Sequence, residues 1–225
     1  TGDEVRDPSD DAPEGCIFDA NRYTVMSMLD GLSIQITDLG ILPDNLQAIT
    51  SALDAAKEDQ DVLLTSGGVS AGKEDHVKAA VENLGNINFW RLAIKPGRPI
   101  ALGQIAQTAF VGLPGNPVAA MVTFLMVAQP MLRKLGGEVG YTPTRVRVAT
   151  DFDYKKKSGR REWVRASLKQ IADGQSIATK HHSSGAGILT SMVGADGLVE
   201  IEEDVTQLDA GTEVTYLPFS GLLAG

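Results

Sequence analysis

The run Asp61-Val62-Leu63-Leu64-Thr65-Ser66-Gly67-Gly68-Val69-Ser70-Ala71-Gly72-Lys73-Glu74-Asp75 decides how the rest of the chain is read. Its aliphatic and β-branched start predicts a short buried strand over 61–66. A glycine–serine turn follows, then a helix that should begin near Glu74 and stop at Gly85. Glycines let backbone N–H groups approach a phosphate closely, and a helix N-terminus adds favourable electrostatics. A plain βα corner has the same composition, so this run settles architecture before it settles function.

Outward from that run, Leu46, Ile49, Leu53 and Ala56 share one helical face and predict a helix over 44–58, with Asp44 and Gln47 as a capping box. Strands are predicted over 33–39, 86–94, 99–105 and 108–113. A third helix should run from Pro117 to about Leu135, with Asn116 as cap and Pro at the first helical position. Alternation of this kind implies an α/β fold, a mostly parallel sheet with helices on both faces. Such sheets bind ligands at the carboxyl ends of their strands. The loops 66–75, 95–98 and 113–117 all follow strands and should converge there. The same logic predicts a strand before Thr1-Gly2-Asp3-Glu4.

Residues 136–143 are rich in glycine and break the helix, which places a linker there. Beyond it, short alternating stretches over 145–151, 161–170, 176–181, 197–202 and 213–217 predict a small all-β barrel or sandwich without a helix of useful length. Two domains are expected, 1–137 and 138–225.

With 225 residues, 43% hydrophobic, the chain is long enough for two cores. Cys16 is the only cysteine, which excludes an internal disulfide and a disulfide-stapled scaffold. The longest apolar stretch, 118–128, reads as a buried helix too short to span a bilayer. A net charge of -9 argues against nucleic acid and anionic membranes as partners. Ten Lys and Arg between Arg145 and Lys180 face only Asp151, Asp153, Glu162 and Asp173, so one strip is basic. Local capture of a small anion and an ordinary solvated sheet face both explain that strip.

Several residue groups carry possible chemistry. Asp3-Glu4, Asp44 and Asp75 would reach one crevice from separate loops, a donor set suited to Mg²⁺ held jointly with phosphate oxygens. Helix N-termini favour acids anyway, which accounts equally well for Asp44 or Asp75 taken alone. Arg91 and Lys95 flank Ala93 on one expected strand and so should share a face. Lys95-Pro96-Gly97-Arg98-Pro99 is a rigid basic turn, and 112–117, with Pro114 and Pro117, presents a second helix N-terminus to anions. On the expected strand 161–170, Arg161, Trp163 and Arg165 point to one side. His76, His181 and His182 lack zinc spacing, and the last two read as surface residues.

In order and spacing, Thr1–Glu4, Ile17–Asn21, Ser66–Ser70, Asp75, Lys95–Pro99 and Gly112–Pro117 resemble the molybdopterin molybdenumtransferases, the MoeA and gephyrin E-domain family. Gly159-Arg160 and Arg165 extend the likeness more loosely. The resemblance implies a cytoplasmic, homodimeric enzyme that inserts molybdenum from molybdate into adenylylated molybdopterin, with Mg²⁺-dependent release of AMP. It implies catalytic roles for Glu4, Asp44, Asp75 and Lys95, with Asp75 and Glu4 on the metal. It places Ser66, Gly67, Gly68 and Ser70 on the pterin-phosphate side, and Lys95, Pro96 and Arg165 at the molybdate. Arg91, Pro114 and Pro117 complete the expected binding positions.

There are departures from the family pattern. Arg91 stands where relatives often have Lys, and Ala119 and Ala186 where they tend to have Ser, which removes two hydroxyl donors to an oxyanion. The family closes its site with an N-terminal domain of a dimer partner, so this stretch alone should fold but turn over very little. Alternatives on the same fold are a molybdopterin adenylyltransferase and a nucleotide pyrophosphatase, neither of which has the β-domain. A non-catalytic scaffold or binding module is the alternative of another class.

Overall fold

A computed structural model describes residues 1–68, 75–171, 174–183 and 185–223, leaving aside the side chains at 89 and 90. The first part contains β1 (Val5–Arg6), β2 (Ile17–Phe18), α1 (Ala20–Asp30), α2 (Leu46–Ala56), β3 (Val62–Ser66), α3 (His76–Leu84), β4 (Gly85–Arg91), β5 (Ile94–Lys95), β6 (Pro99–Ile105), β7 (Thr108–Leu113) and the long helix α4 (Pro117–Leu135). The second part contains β8 (Val146–Thr150), β9 (Tyr154–Lys155), β10 (Arg161–Gln170), β11 (Ser176–Lys180), α5 (Thr190–Val193), β12 (Gly197–Ile201), β13 (Gln207–Leu208), β14 (Glu213–Pro218) and α6 (Phe219–Leu223).

The α/β expectation holds, with helices on both faces of a sheet ordered β3-β7-β6-β4. Val25 and Met28 of α1 pack with Val111, Leu113 and the α4 residues Val118, Val122 and Leu125 on one face. Ile49 and Leu53 of α2 pack with Val77, Ala80 and Val81 of α3 on the other. Each such fully buried aliphatic side chain contributes about 1.5–3 kcal/mol, so truncating Leu125 to Ala would cost about 2–5 kcal/mol. The sheet is mixed rather than mostly parallel, because only β3 and β7 run in parallel. Connection length explains the difference. Only Ala106 and Gln107 join β6 to β7, and a parallel return needs a crossover of a dozen residues or more.

Three local expectations are corrected. Residues 33–39 form no strand; Ile34 and Leu39 stay well exposed, and the segment has no ladder partner among the described residues. The helix α2 is capped by Asn45, whose side chain accepts from the N–H groups of Gln47 and Ala48, so Asp44 stands one residue outside the cap. The single strand expected over 86–94 breaks after Arg91. There Leu92 N–H donates to Arg98 O at 2.8 Å, and the chain re-enters a different sheet as β5.

Beyond residue 144, β8, β14, β12, β10 and β11 close into a five-stranded barrel, with β5 added to its β10 edge. Val148, Val164, Val199 and Tyr216 fill it. The outer face of β12 and β14 does not meet solvent: Leu198 and Leu217 join the α4 core cluster together with Trp163 and Leu222. By length and hydropathy α4 would suffice to cross a membrane, yet Val118, Val122, Phe124 and Ala128 are spent on this shared core. Its π-helical stretch Phe124–Ala128 directly precedes Gln129-Pro130, where a proline without an N–H cannot continue regular α bonding.

Candidate functional site

The β3 and β7 ends are tied together by a side chain from α1. Asn21 Nδ2 donates to Ser66 Oγ and to Gly115 O, each at 2.7 Å, while Ser66 Oγ reaches Pro114 O at 3.3 Å. Asn21 is held by its place just inside α1, which Asp19 caps by accepting from Arg22 N–H. Gly67 N–H donates to Leu113 O at 3.1 Å. Gly68 has a φ of +64, and a Cβ there would lie 2.4 Å from Val77 Cγ2, so only glycine permits this close turn. In the sequence Asn21 stands only as the last residue of the 17–21 motif, and its one local signal is a lone amide in the first turn of a helix.

The basic turn reaches the site through the barrel. Ile94 and Lys95 pair in parallel with Arg161 and Glu162, and Gly97, with φ +96, packs onto α4 where a Cβ would meet Thr123 Oγ1 at 2.2 Å. The Lys95–Pro96 peptide is cis. Lys95 Nζ lies 3.2 Å from Glu162 Oε2 and 3.4 Å from the Tyr154 hydroxyl. Glu162 is 1% exposed, and it also accepts from Tyr154 at 2.8 Å and from Arg160 at 2.9 Å. Burial opposes its ionisation, but hydrogen bonds from Tyr154 and Lys95 and the charges of Lys95 and Arg160 outweigh that and hold the carboxyl below its ordinary range. Burial and the adjacent Glu162 push the Tyr154 hydroxyl well above the usual tyrosine value.

Arg165, 5% exposed, donates through Nη2 to Ser183 O at 3.0 Å and Gly185 O at 3.2 Å, and burial lowers its pKa without discharging it. Arg165 Nε and Trp163 Nε1 are buried donors with no partner among the described residues. Buried N–H groups left unmade cost about 1–3 kcal/mol each, so such orphans invite an acceptor.

One cavity of about 1930 Å³ gathers these groups: Glu4, Ser66, Gly67, Gly68, Lys95, Pro96, Pro114, Pro117 and Arg165 all line it. Lys180 joins them, as do His181 and His182, which stack at 4.3 Å. The two histidines were expected at the surface; His182 is exposed and His181 partly so, and both line the cavity where β11 ends beside β10. Ala119 and Ala186 line it too, and Val118 N–H donates to Ala186 O at 3.0 Å, so the α4 N-terminus already serves a carbonyl.

Three expected positions are not among the lining residues: Asp44, Arg91 and Asp75. Asp44 N–H donates to Asp3 Oδ1 at 3.1 Å, and Arg91 remains on β4, on a different sheet from Lys95. Asp75 caps α3, its Oδ1 accepting from Lys78 N–H at 3.0 Å. Ser70 lies outside the described residues. Among the described residues no three His, Cys, Asp or Glu side chains converge as metal ligands. These carboxylates do not build a magnesium centre by themselves.

An α/β unit with a glycine turn, joined to a β-barrel, brings Lys95 and Arg165 into one cavity with Ser66, Gly67 and Gly68. Residues 1–134 match the family described as the probable molybdopterin binding domain, and residues 147–219 match the MoeA C-terminal region (domain IV). The chain belongs to this family, the MoeA and gephyrin E-domain group. The molybdopterin molybdenumtransferase of Haemophilus influenzae is 37% identical over 99% of this chain and 55% of its own length. The molybdenum cofactor synthesis protein cinnamon of Drosophila melanogaster is 33% identical over 89% of this chain and 34% of its own. Among solved structures, the molybdopterin biosynthesis MoeA protein of Pyrococcus horikosii superposes with a TM-score of 0.79 at 27% identity, over 97% of this chain and 52% of that one. The chain spans about half the length of the first curated relatives it matches.

Proposed function

We propose that this chain carries the catalytic core, 1–137, and the C-terminal β-domain, 138–225, of a molybdopterin molybdenumtransferase. In this reading molybdate and adenylylated molybdopterin are substrates, AMP is released, and a homodimer is the working form. The observation that carries the reading is that Lys95 and Arg165 from the barrel side share one cavity with the Ser66–Gly68 turn. Cations and N–H donors fixed before the ligand arrives stabilise a dianion without reorganisation. Glu162 keeps the Lys95 ammonium in place, and Arg165 retains an unused Nε–H beside Trp163. The glycine turn at the β3 end would take the phosphate of the pterin nucleotide, with Ser66 steadied by Asn21. Glu4 faces the cavity, so we assign Glu4 to any Mg²⁺ that arrives already shared with substrate phosphates.

Incubation with adenylylated molybdopterin, with and without molybdate, tests the reading. Saturable binding of the pterin nucleotide, with slow AMP release that requires molybdate, supports it. AMP release that ignores molybdate makes the chain a pyrophosphatase, and adenylylation of molybdopterin by ATP makes it the earlier transferase. Rapid molybdate-dependent release by this chain alone contradicts the dimer-completed site.

A further inference from the structure

The barrel leaves a gap along one edge of β10. β12 takes the other edge over Glu162–Ala166. On this edge β5 covers Arg161 and Glu162, and β11 pairs from Ala166 onward, so residues 163–165 separate the two neighbours. Both neighbours stop at that gap: Lys95 is the last residue of β5 and Lys180 the last of β11. Trp163, Val164 and Arg165 line the cavity there, and so do Lys95 and Lys180. Lys95 stands opposite Glu162 and Lys180 opposite Ala166. Those two β10 positions are an even number of residues apart, so both lysines leave the sheet on the same face. One ring serves both: the Lys95 and Lys180 ammoniums lie 6.0 and 5.6 Å from the centre of the Tyr154 ring. Lys180 is also 5.5 Å from the centre of the Phe152 ring.

The two lysines differ in how their charge is spent. Lys95 shares the buried Glu162 with Arg160. Among the described residues Lys180 makes no ion pair, and its half-buried side chain sets the ammonium on the two aromatic rings. Ring faces attract a cation and fix its place without neutralising it. Of the described residues that line the cavity from Tyr154 onward, Glu162 is the one carboxylate, and it already has three partners. Lys180 therefore brings a full charge to the cavity wall, held ready before an anion arrives.

We propose that Lys180 is a specificity-determining residue of this cavity: across the gap from Lys95, it makes the site choose a doubly charged tetrahedral oxyanion over a singly charged one. The inference rests on the reading of the cavity as an oxyanion site given above, and adds a residue and a selection rule to it. Coulomb energy scales with the product of the charges, so a dianion gains about twice what a monoanion of the same shape gains from one added cation. Lys95 orients the ligand, but Glu162 offsets much of its charge. Lys180 supplies the surplus. Lys155, the next cation of that wall, is exposed and takes no comparable hold on the rings.

The test is equilibrium dialysis of the 225-residue chain against molybdate and against perrhenate, tetrahedral ions of two charges and one. Lys180→Met, Lys180→Arg and Lys95→Ala are compared with the unaltered chain. Methionine keeps an unbranched stem against the rings and removes the charge. Lys180→Met is expected to weaken molybdate at least about tenfold and perrhenate only about threefold, the square root that half the Coulomb energy implies. Lys180→Arg should recover most of the molybdate affinity, which separates lost charge from lost packing. Equal losses for the two ions, no loss for molybdate, or no recovery with arginine overturns the proposal. If Lys95→Ala still weakens molybdate in that case, the oxyanion site itself stands. Absence of saturable molybdate binding in the unaltered chain instead overturns the site, and the role of Lys180 with it.

Discussion

Lys95 and Glu162 lie 67 residues apart in sequence, yet the ammonium of one rests 3.2 Å from the buried carboxylate of the other. This contact fastens the basic turn of the α/β unit to the barrel, and it sets which way a cation faces the cavity. Because Glu162 is buried and Lys95 is half-exposed, the two partners should respond unequally to removal. Glu162→Gln leaves Lys95 and Arg160 without their counter-charge and should cost about 2–4 kcal/mol. Lys95→Ala, with Arg160 and Tyr154 still on the carboxylate, should cost about 1 kcal/mol. Urea denaturation of both variants checks this, and equal costs would show that Glu162 holds nothing in place.

Acid should loosen the protein through the same group. The folded Glu162 carboxyl ionises below its ordinary 4.5, so its stabilising effect is complete above that value and is lost as pH falls through the lower folded one. Asp7 behaves alike: hydrogen bonds from Ser9 and Tyr23, with Arg22 nearby, hold it down to about 2. Melting temperatures should therefore be flat from pH 7 to about 5 and fall between about 4.5 and 2. Glu162→Gln should flatten part of that decline; a variant with an unaltered slope would contradict the assignment.

Asn21 should be structural glue for the site rather than for the whole molecule. Asn21→Leu removes both bonds to the strand-end loops, leaving Ser66 Oγ only its contact with Pro114 O. The expected cost is about 1–3 kcal/mol, with faster amide exchange at Gly115 and little change inside the barrel. Uniform acceleration across both parts would mean that the effect is merely global.

Gly97 allows the basic turn to lie against α4. Gly97→Ala adds a Cβ 2.2 Å from Thr123 Oγ1 at a φ of +96, and should cost about 2–4 kcal/mol. Thr123→Ala in the same chain removes the clash but not the backbone strain, so it should restore roughly half. Full rescue or none would show that one of the two effects is absent.

Much of this arrangement was legible in the residues. The 61–75 run predicted β3 and the cap-and-helix start of α3, and Asn116-Pro117 marked the beginning of α4 where it is found. What escaped had partners far away in sequence. Residues 33–39 have strand composition, but composition cannot say whether a neighbour is present to pair with. Arg91 and Lys95 alternate correctly for a single strand, yet Ile94 and Lys95 pair with β10 instead, and that competition is invisible locally. Glu162 read as one acid in a basic strip; only the fold shows it as the hub between Lys95, Tyr154 and Arg160. His181 and His182 entered the cavity through barrel closure, which no periodicity encodes.

Molybdate binding to the intact chain, measured by equilibrium dialysis and by quenching of Trp163 in the cavity wall, tests the central claim most directly. One saturable site per chain is predicted, weakened at least about tenfold, or 1.4 kcal/mol, by Lys95→Ala and left unchanged by Arg147→Ala on the outer barrel surface. Binding that survives Lys95→Ala, or that Arg147→Ala weakens equally, would contradict an oxyanion site in this cleft.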